Sequence, residues 1–359
     1  MRPTPLPPLL AVLVLAFAST AFGAASPSAA GKPAAIEKPD AVGKEDAIEK
    51  EDDATYRQLQ EAAGAVVAVH ARALLNARSN ESLGSERSGS GIVIAPSGLV
   101  LTIGYLILEA DQVEVTDANG RSLPASVVAY DHATGFGLLR TIGPISPKPV
   151  RLGNSGSVEQ LDRLMIATGG EGGVSIATVV SRRPFAGYWE YLIDGAIFTA
   201  PPRMDHSGAA LINKDGELVG IGSLFVMDAM KPGERLPGNM FVPIDLLKPI
   251  LAEMIETGRQ KAGRRPWIGV SSAEDDGRLK VLRVTTDGPA DKAGIHPGDI
   301  ILAVGGEKVR DLPDFYHKLW ASGEPGVEVG LSVLQGADLK ELRVRSIDRL
   351  EFLRRKPTI

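Results

Sequence analysis

From Val66 to Pro243 the chain repeats one pattern: short apolar runs of strand length, each closed by a turn signal. Val66–His70 is followed by Ile92-Val93-Ile94, then Pro96-Ser97-Gly98, then Leu99-Val100-Leu101. Further runs lie at 112–131, 138–141, 163–170, 174–183, 191–200 and 210–226. Asn-Gly, Asp-Gly and Gly-Gly pairs interrupt them, and such pairs supply the backbone angles of tight hairpins. Runs this short cannot carry the 3.6-residue stripe of a long helix, so the pattern predicts an all-β barrel architecture. Forty glycines, 25 prolines and only 5% aromatics agree with a turn-rich chain. The series ends in a strand at 239–243 leading into an amphipathic helix. Leu246, Leu247, Ile250, Leu251, Met254 and Ile255 form its stripe, and Gly258 its stop. A short helix is also expected over Tyr56–Ala63, with Gly64 ending it.

At 359 residues the chain has room for two medium domains and tails. The first 23 residues have the make-up of a secretory leader: Arg2, an apolar run from Leu9 to Ala18, and small residues at Ala21 and Gly23. The run is short for a membrane span, although an uncleaved anchor is the alternative. A periplasmic location follows as the expectation. There is no cysteine, so disulfides and a lipoprotein anchor are excluded. Residues 24–53 are rich in Ala, Pro, Lys, Glu and Asp, and are expected to be a flexible charged tether. A net charge of −5 without a long basic block argues against a nucleic-acid partner. No cysteine cluster, HExxH or phosphate-binding glycine loop is present, so no metal and no cofactor are expected.

Residues 205–221, DHSGAALINKDGELVGI, resemble the nucleophile segment of trypsin-like serine proteases of the HtrA/Deg type. The hairpin Gly89–Ile107 resembles that family's histidine segment, and 131–139, DHATGFGLL, its aspartate segment. The resemblance covers 85–258 in order and spacing, and implies a double β-barrel over 54–258. It puts Ser207 at the nucleophile, Tyr105 at the histidine and Gly135 at the aspartate. A serine hydroxyl needs a base to take its proton and a carboxylate to orient that base. Tyrosine, with an ordinary pKa of about 10, is a proton donor at neutral pH, and glycine has no carboxylate. Asp205 stands where the family has an oxyanion-hole glycine, beside His206, and 199–207 is one residue short of the family pattern. A carboxylate at Asp205 is expected to repel a developing oxyanion. Among the other histidines, His132 is expected on a turn surface and His70 in a first strand.

After a basic hinge at 259–265, residues 266–346 resemble a PDZ domain of the same family, with a tail at 347–359. The match rests on Trp267-Ile268-Gly269-Val270 and on GPADKAGIHPGDII at 288–301. The resemblance implies a groove in which the Trp267–Val270 loop receives a partner's C-terminal carboxylate. Phe315 and Leu319 of a helix over Leu312–Trp320 would line it, while the partner adds a strand to the sheet edge. Tyr188, Trp189 and Tyr191 are read as packing residues. The favoured expectation is an exported pseudoprotease that binds polypeptide C-termini, unfolded proteins or an active protease relative. A serine endopeptidase using Ser207 with a rearranged base, or a PDZ adaptor in an exported complex, are the alternatives. The family resemblance also implies a possible homotrimer. The chain's own C-terminus, Lys356 to Ile359, is an apolar candidate for the groove in cis.

Overall fold

The computed structural model describes residues 41–259 and 264–353, with side chains from Asp53 onward. The leader expected over 1–23, much of the tether, most of the hinge and the last six residues lie outside the described residues. The chain divides into a unit Met1–Ile48 and a unit Glu49–Ile359, and all the sheets belong to the second.

Helix α1 (Ala41–Gly64) contains the expected Tyr56–Ala63 helix but begins earlier, where a flexible tether was expected. Its last turn is anchored, with Ala62 buried and Leu59 and Ala63 packed against the core. Beyond it β1 (Val66–Ala73), the short α2 (Asn80–Leu83), β2 (Glu86–Ala95), β3 (Leu99–Ile103), β4 (Ala110–Thr116), β5 (Ser122–Tyr130) and β6 (Phe136–Thr141) follow. The six strands close into an antiparallel barrel in the order β1-β2-β3-β6-β5-β4. Closure leaves no free sheet edge, which is how a small all-β unit satisfies its backbone.

A second sheet contains β7 (Arg151–Leu152), β8 (Arg163–Thr168), β9 (Gly173–Gly187), β10 (Tyr191–Ala200), β11 (Ala210–Ile212), β12 (Glu217–Val226) and β13 (Gly238–Pro243). Its order is β11-β8-β9-β10-β13-β12-β7, and β11 also pairs with β12, so it closes as well. Inward residues such as Phe136, Leu139, Phe198 and Met240 are fully buried in one cluster, with Ile166, Ile197, Leu211 and Phe241 in another. Each contributes about 1.5–3 kcal/mol by leaving water. A 3-10 turn at Ile244–Leu246 leads into α3 (Leu251–Thr257), which ends at Gly258 in the left-handed conformation. Leu247, Ile250 and Met254 are buried as the stripe requires, but Ile255 is exposed.

The third sheet holds β14 (Val270–Asp275), β15 (Arg278–Val284), β16 (Ile300–Val304), β17 (Glu307–Lys308), β18 (Glu328–Gln335) and β19 (Asp338–Arg345). It runs β14-β15-β16-β18-β19, with β17 on β16, and leaves β14 at one edge. Helix α4 (Pro289–Lys292) covers it, as does α5 (Leu312–Ala321), which Asp311 caps by accepting from the Asp314 N–H. The expected tail is instead structured up to Leu353. Ile347 bridges Trp267. Asp348 caps α6 (Arg349–Phe352), whose Phe352 packs on the Trp267 ring at 5.0 Å. A terminal segment stays ordered when it is tied down this way.

Candidate functional site

Ser207 sits at the seam of the two barrels, just before β11. Its carbonyl accepts from the Ser90 N–H of β2 at 2.8 Å, and the Gly208 N–H donates to the Gly222 carbonyl of β12 at 2.8 Å. Gly208 has φ +74°, and a Cβ there would lie 1.9 Å from the Ser90 carbonyl oxygen, so only glycine fits. Gly89 is confined too, because a Cβ there would stand 2.6 Å from the Ser207 carbonyl oxygen and 3.2 Å from the Ser207 Cβ.

Tyr105 follows β3 in a 3-10 turn, Gly104–Leu106. Its hydroxyl lies 2.8 Å from Ser207 Oγ and 2.8 Å from the Ser223 carbonyl. A phenol has one proton and a carbonyl can only accept. Both contacts are satisfied together when Tyr105 donates to Ser223 and the Ser207 hydroxyl donates to the phenolic oxygen. Burial pushes the Tyr105 pKa up to about 12, against a smaller opposing effect of the Ser207 contact. A neutral phenol can accept this hydrogen bond, and one with so high a pKa is a poor base near neutral pH.

Gly135 occupies the place expected for the orienting carboxylate. Its φ is +80°, and a Cβ there would come within 3.0 Å of the Tyr191 hydroxyl. That hydroxyl donates to the Thr134 carbonyl at 2.8 Å. The position is filled by Tyr191, which the sequence reading had placed in general packing.

Asp205 is paired rather than isolated. Arg203 holds its carboxylate through Nε at 2.8 Å, and Thr168 Oγ1 donates to it at 2.9 Å. These partners, Arg203 first, keep its pKa below the usual carboxylate range. Nor does Asp205 adopt a positive φ. His206 turns away from its neighbour, with Nδ1 3.1 Å from the Arg203 carbonyl, and burial lowers its pKa.

His132 lies on a turn, as expected, but is half-buried with both ring nitrogens engaged. Its Nδ1 lies 2.9 Å from Tyr130 Oη and its Nε2 2.5 Å from Arg349 Nη1. A guanidinium only donates, so Nε2 is the bare acceptor and Nδ1 carries the proton. Burial first, then Arg349 and Arg265, hold this imidazole well below its ordinary pKa. Both ring nitrogens are committed to Tyr130 and Arg349 rather than to Ser207. His70 lies in β1 as expected and faces Ser88 and Glu86.

The region expected to form a groove brings together most of its residues and adds one that the sequence did not signal. The N–H groups of Ile268, Gly269 and Val270 converge on a single carboxyl group, that of Glu190 in the β9–β10 turn. The distances are 3.3 Å from Ile268 N to Oε2, and 2.7 and 3.1 Å from Gly269 N and Val270 N to Oε1. Trp267 does not take part: its N–H donates to the Ile347 carbonyl, and its ring meets Phe352. Phe315 and Leu319 are fully buried with Ile268 and Val270, and the same cluster includes Leu192 of β10. The Ser272 N–H of the edge strand β14 donates to the Tyr188 carbonyl at 2.8 Å.

Tyr316 of α5 fastens this turn from both sides. Its hydroxyl donates to the Gly187 carbonyl at 2.6 Å and accepts from the Glu190 N–H at 3.0 Å. Burial pushes the Glu190 pKa up to about 7, against the three loop N–H groups and Arg349. The packing expected of Trp189 and Tyr191 is present, as stacked rings 5.4 Å apart. Glu190 and Tyr316 escaped sequence reading because no motif marks either one.

Residues 89–221 match the trypsin-like peptidase domain, and 266–345 match the PDZ domain. The serine endoprotease DegS of Haemophilus influenzae is 28% identical over 297 residues, covering 79% of this chain and 84% of that protein. A probable periplasmic serine endoprotease, DegP-like, of Brucella suis is 29% identical over 281 residues, covering 71% of this chain and 52% of the relative. The chain thus spans about half the length of that relative. Among solved structures, the HtrA-type protease AlgW with decapeptide has a TM-score of 0.51 at 22% identity, covering 84% of this chain and 99% of that one. At that identity the likeness is one of fold.

Proposed function

Since this chain is a trypsin-like peptidase domain joined to one PDZ domain, with HtrA-type serine endoproteases as its homologues, we propose that it is an exported protein that binds polypeptides without cleaving them. The observation that carries this reading is the Ser207–Tyr105 pair. The hydroxyl at the expected nucleophile position is instead hydrogen-bonded to a phenol whose own proton is engaged by the Ser223 carbonyl. At Gly135 there is no carboxylate, and Tyr191 fills the space. Loss of the base alone costs on the order of 10⁶ in rate in a well-studied serine protease, and further losses from the triad add little.

Export is supported by the leader pattern of the first 23 residues and by the periplasmic names of the DegP-like relatives. The polypeptide-binding part rests on the third sheet. An edge strand, a loop of three converging N–H groups and an apolar cluster are the parts needed to receive an extended C-terminal segment.

The chemical half is tested by incubating the full chain with a fluorophosphonate probe and, separately, with unfolded casein. Neither labelling at Ser207 nor cleavage is expected. Labelling at a rate comparable to an active relative, abolished in Ser207→Ala, would reverse the reading in favour of a peptidase with a rearranged base. The binding half is tested with peptides of free and amidated C-terminus, where only the free carboxylate should compete for the loop.

A further inference from the structure

The carboxylate loop of the PDZ groove, rather than being open, is already satisfied from within the chain. Three features of the β9–β10 turn reproduce what an extended C-terminal ligand would offer. The Glu190 carboxyl group receives the N–H groups of Ile268, Gly269 and Val270. The Tyr188 carbonyl accepts from Ser272 at the edge of β14, as an added strand would. Leu192 contributes its side chain to the apolar cluster of Ile268, Val270, Phe315 and Leu319. We propose that the Tyr188–Leu192 hairpin is an internal ligand of this groove, with Glu190 standing in for a partner's C-terminal carboxylate, and that a partner binds by displacing it.

The backbone of Glu190 supports this assignment independently. Gly187 pairs with Tyr191, so the turn has three residues, 188 to 190. Three-residue hairpins place their last residue in the left-handed region, which suits glycine. Glu190 takes that position at φ +60°. A bulky residue there is strained and persists only where its surroundings over-determine it. Here those surroundings are the loop N–H groups at its side chain and Tyr316 at its backbone. Glycine at 190 would relieve the backbone and lose only the contacts with the groove.

The inference rests on the reading of the groove as a C-terminal peptide site, and it adds that this site is closed in the resting chain. The displacing ligand is a polypeptide with a free C-terminal carboxylate and a terminal aliphatic side chain, to replace both Glu190 and Leu192. Apparent affinity falls in proportion to the fraction of open groove, so a groove closed nine-tenths of the time binds about tenfold more weakly than an open one.

The test compares the full chain with its Glu190→Gly and Glu190→Gln variants. The probe is a fluorescein-labelled decapeptide ending in Leu-Val-Leu with a free carboxylate, beside its C-terminal amide. Glu190→Gly should bind the free-carboxylate peptide at least tenfold more tightly than the unaltered chain, with Glu190→Gln intermediate and the amide weak throughout. Amide hydrogen exchange at Ile268, Gly269 and Val270, measured without peptide, gives a second readout. Those N–H groups should be protected in the unaltered chain and exchange at least tenfold faster in Glu190→Gly. Faster exchange without peptide binding would uphold the internal ligand and sink the reading of the groove as a peptide site. Unchanged protection in Glu190→Gly, or equal peptide affinity in all three proteins, would overturn the inference itself.

Discussion

Restoring the two side chains of a serine protease triad, by Tyr105→His together with Gly135→Asp, should leave this protein inactive and markedly less stable. At 135 a non-glycine residue must hold φ +80°, which costs roughly 1–2 kcal/mol, in a place where even a Cβ stands 3.0 Å from the Tyr191 hydroxyl. Tyr191 must then shift from the Thr134 carbonyl, losing a hydrogen bond worth about 1 kcal/mol. At 105 the change removes the hydroxyl that serves the carbonyl of Ser223, a residue only 3% exposed. A buried acceptor left unpaired costs about 1–3 kcal/mol. The sum is roughly 3–6 kcal/mol, against a total stability of about 5–15 kcal/mol for an ordinary domain. Urea unfolding followed by tryptophan fluorescence should show the midpoint falling well below that of the unaltered chain, and casein should remain uncut in dilute buffer. A double variant that unfolds at the original midpoint and cleaves casein would refute the steric account of Gly135 and Tyr191. Loss of activity would then rest on the two absent side chains alone.

Further outcomes follow from the same contacts. Tyr316→Phe leaves the Gly187 carbonyl and the Glu190 N–H without their shared partner, so it should destabilise by about 1–3 kcal/mol in chemical denaturation and tighten peptide binding. The Glu190 pKa is about 7 in the closed groove and 4.5 ordinarily, so the closed form holds a proton that the open form releases. Closure is therefore favoured at low pH, weakens as pH rises through that window, and changes little above it; a difference of that size is worth about 3 kcal/mol. Its neighbours are the Arg349 guanidinium, which stays protonated as guanidinium groups do, the Tyr316 phenol, whose pKa burial raises, and, through Arg349, His132, whose pKa burial lowers. Peptide affinity measured by fluorescence anisotropy should thus rise between pH 5 and 7 in the unaltered chain but stay flat in Glu190→Gln. Gly208→Ala drives a methyl into the Ser90 carbonyl and should reduce soluble yield and melting temperature sharply, whereas Ser207→Ala should leave both near their original values.

The sequence by itself determined the two barrels and the third sheet. Strand-length apolar runs between glycine and proline turns report which backbone is possible, and motif spacing reports which positions matter. Ser207, Tyr105 and Gly135 could be singled out in this way because they stand inside ordered, recognisable segments. The partners of Asp205 and His132 were not legible, for Arg203, Thr168 and Arg349 are brought to them by packing. The docking of α6 was missed for a related reason: a polar, weakly patterned segment is held here by the contact of Phe352 with Trp267, which no local period records.

Tertiary structure alone decided what occupies the groove. Glu190 lies 79 residues before Gly269, and nothing in the string Gly187-Tyr188-Trp189-Glu190-Tyr191 announces a ligand. A carboxyl group meets backbone N–H groups wherever the fold brings them within hydrogen-bond range, and backbone donors carry no side-chain code. The groove's composition was legible, but its closure is a matter of distance, which only the folded chain supplies.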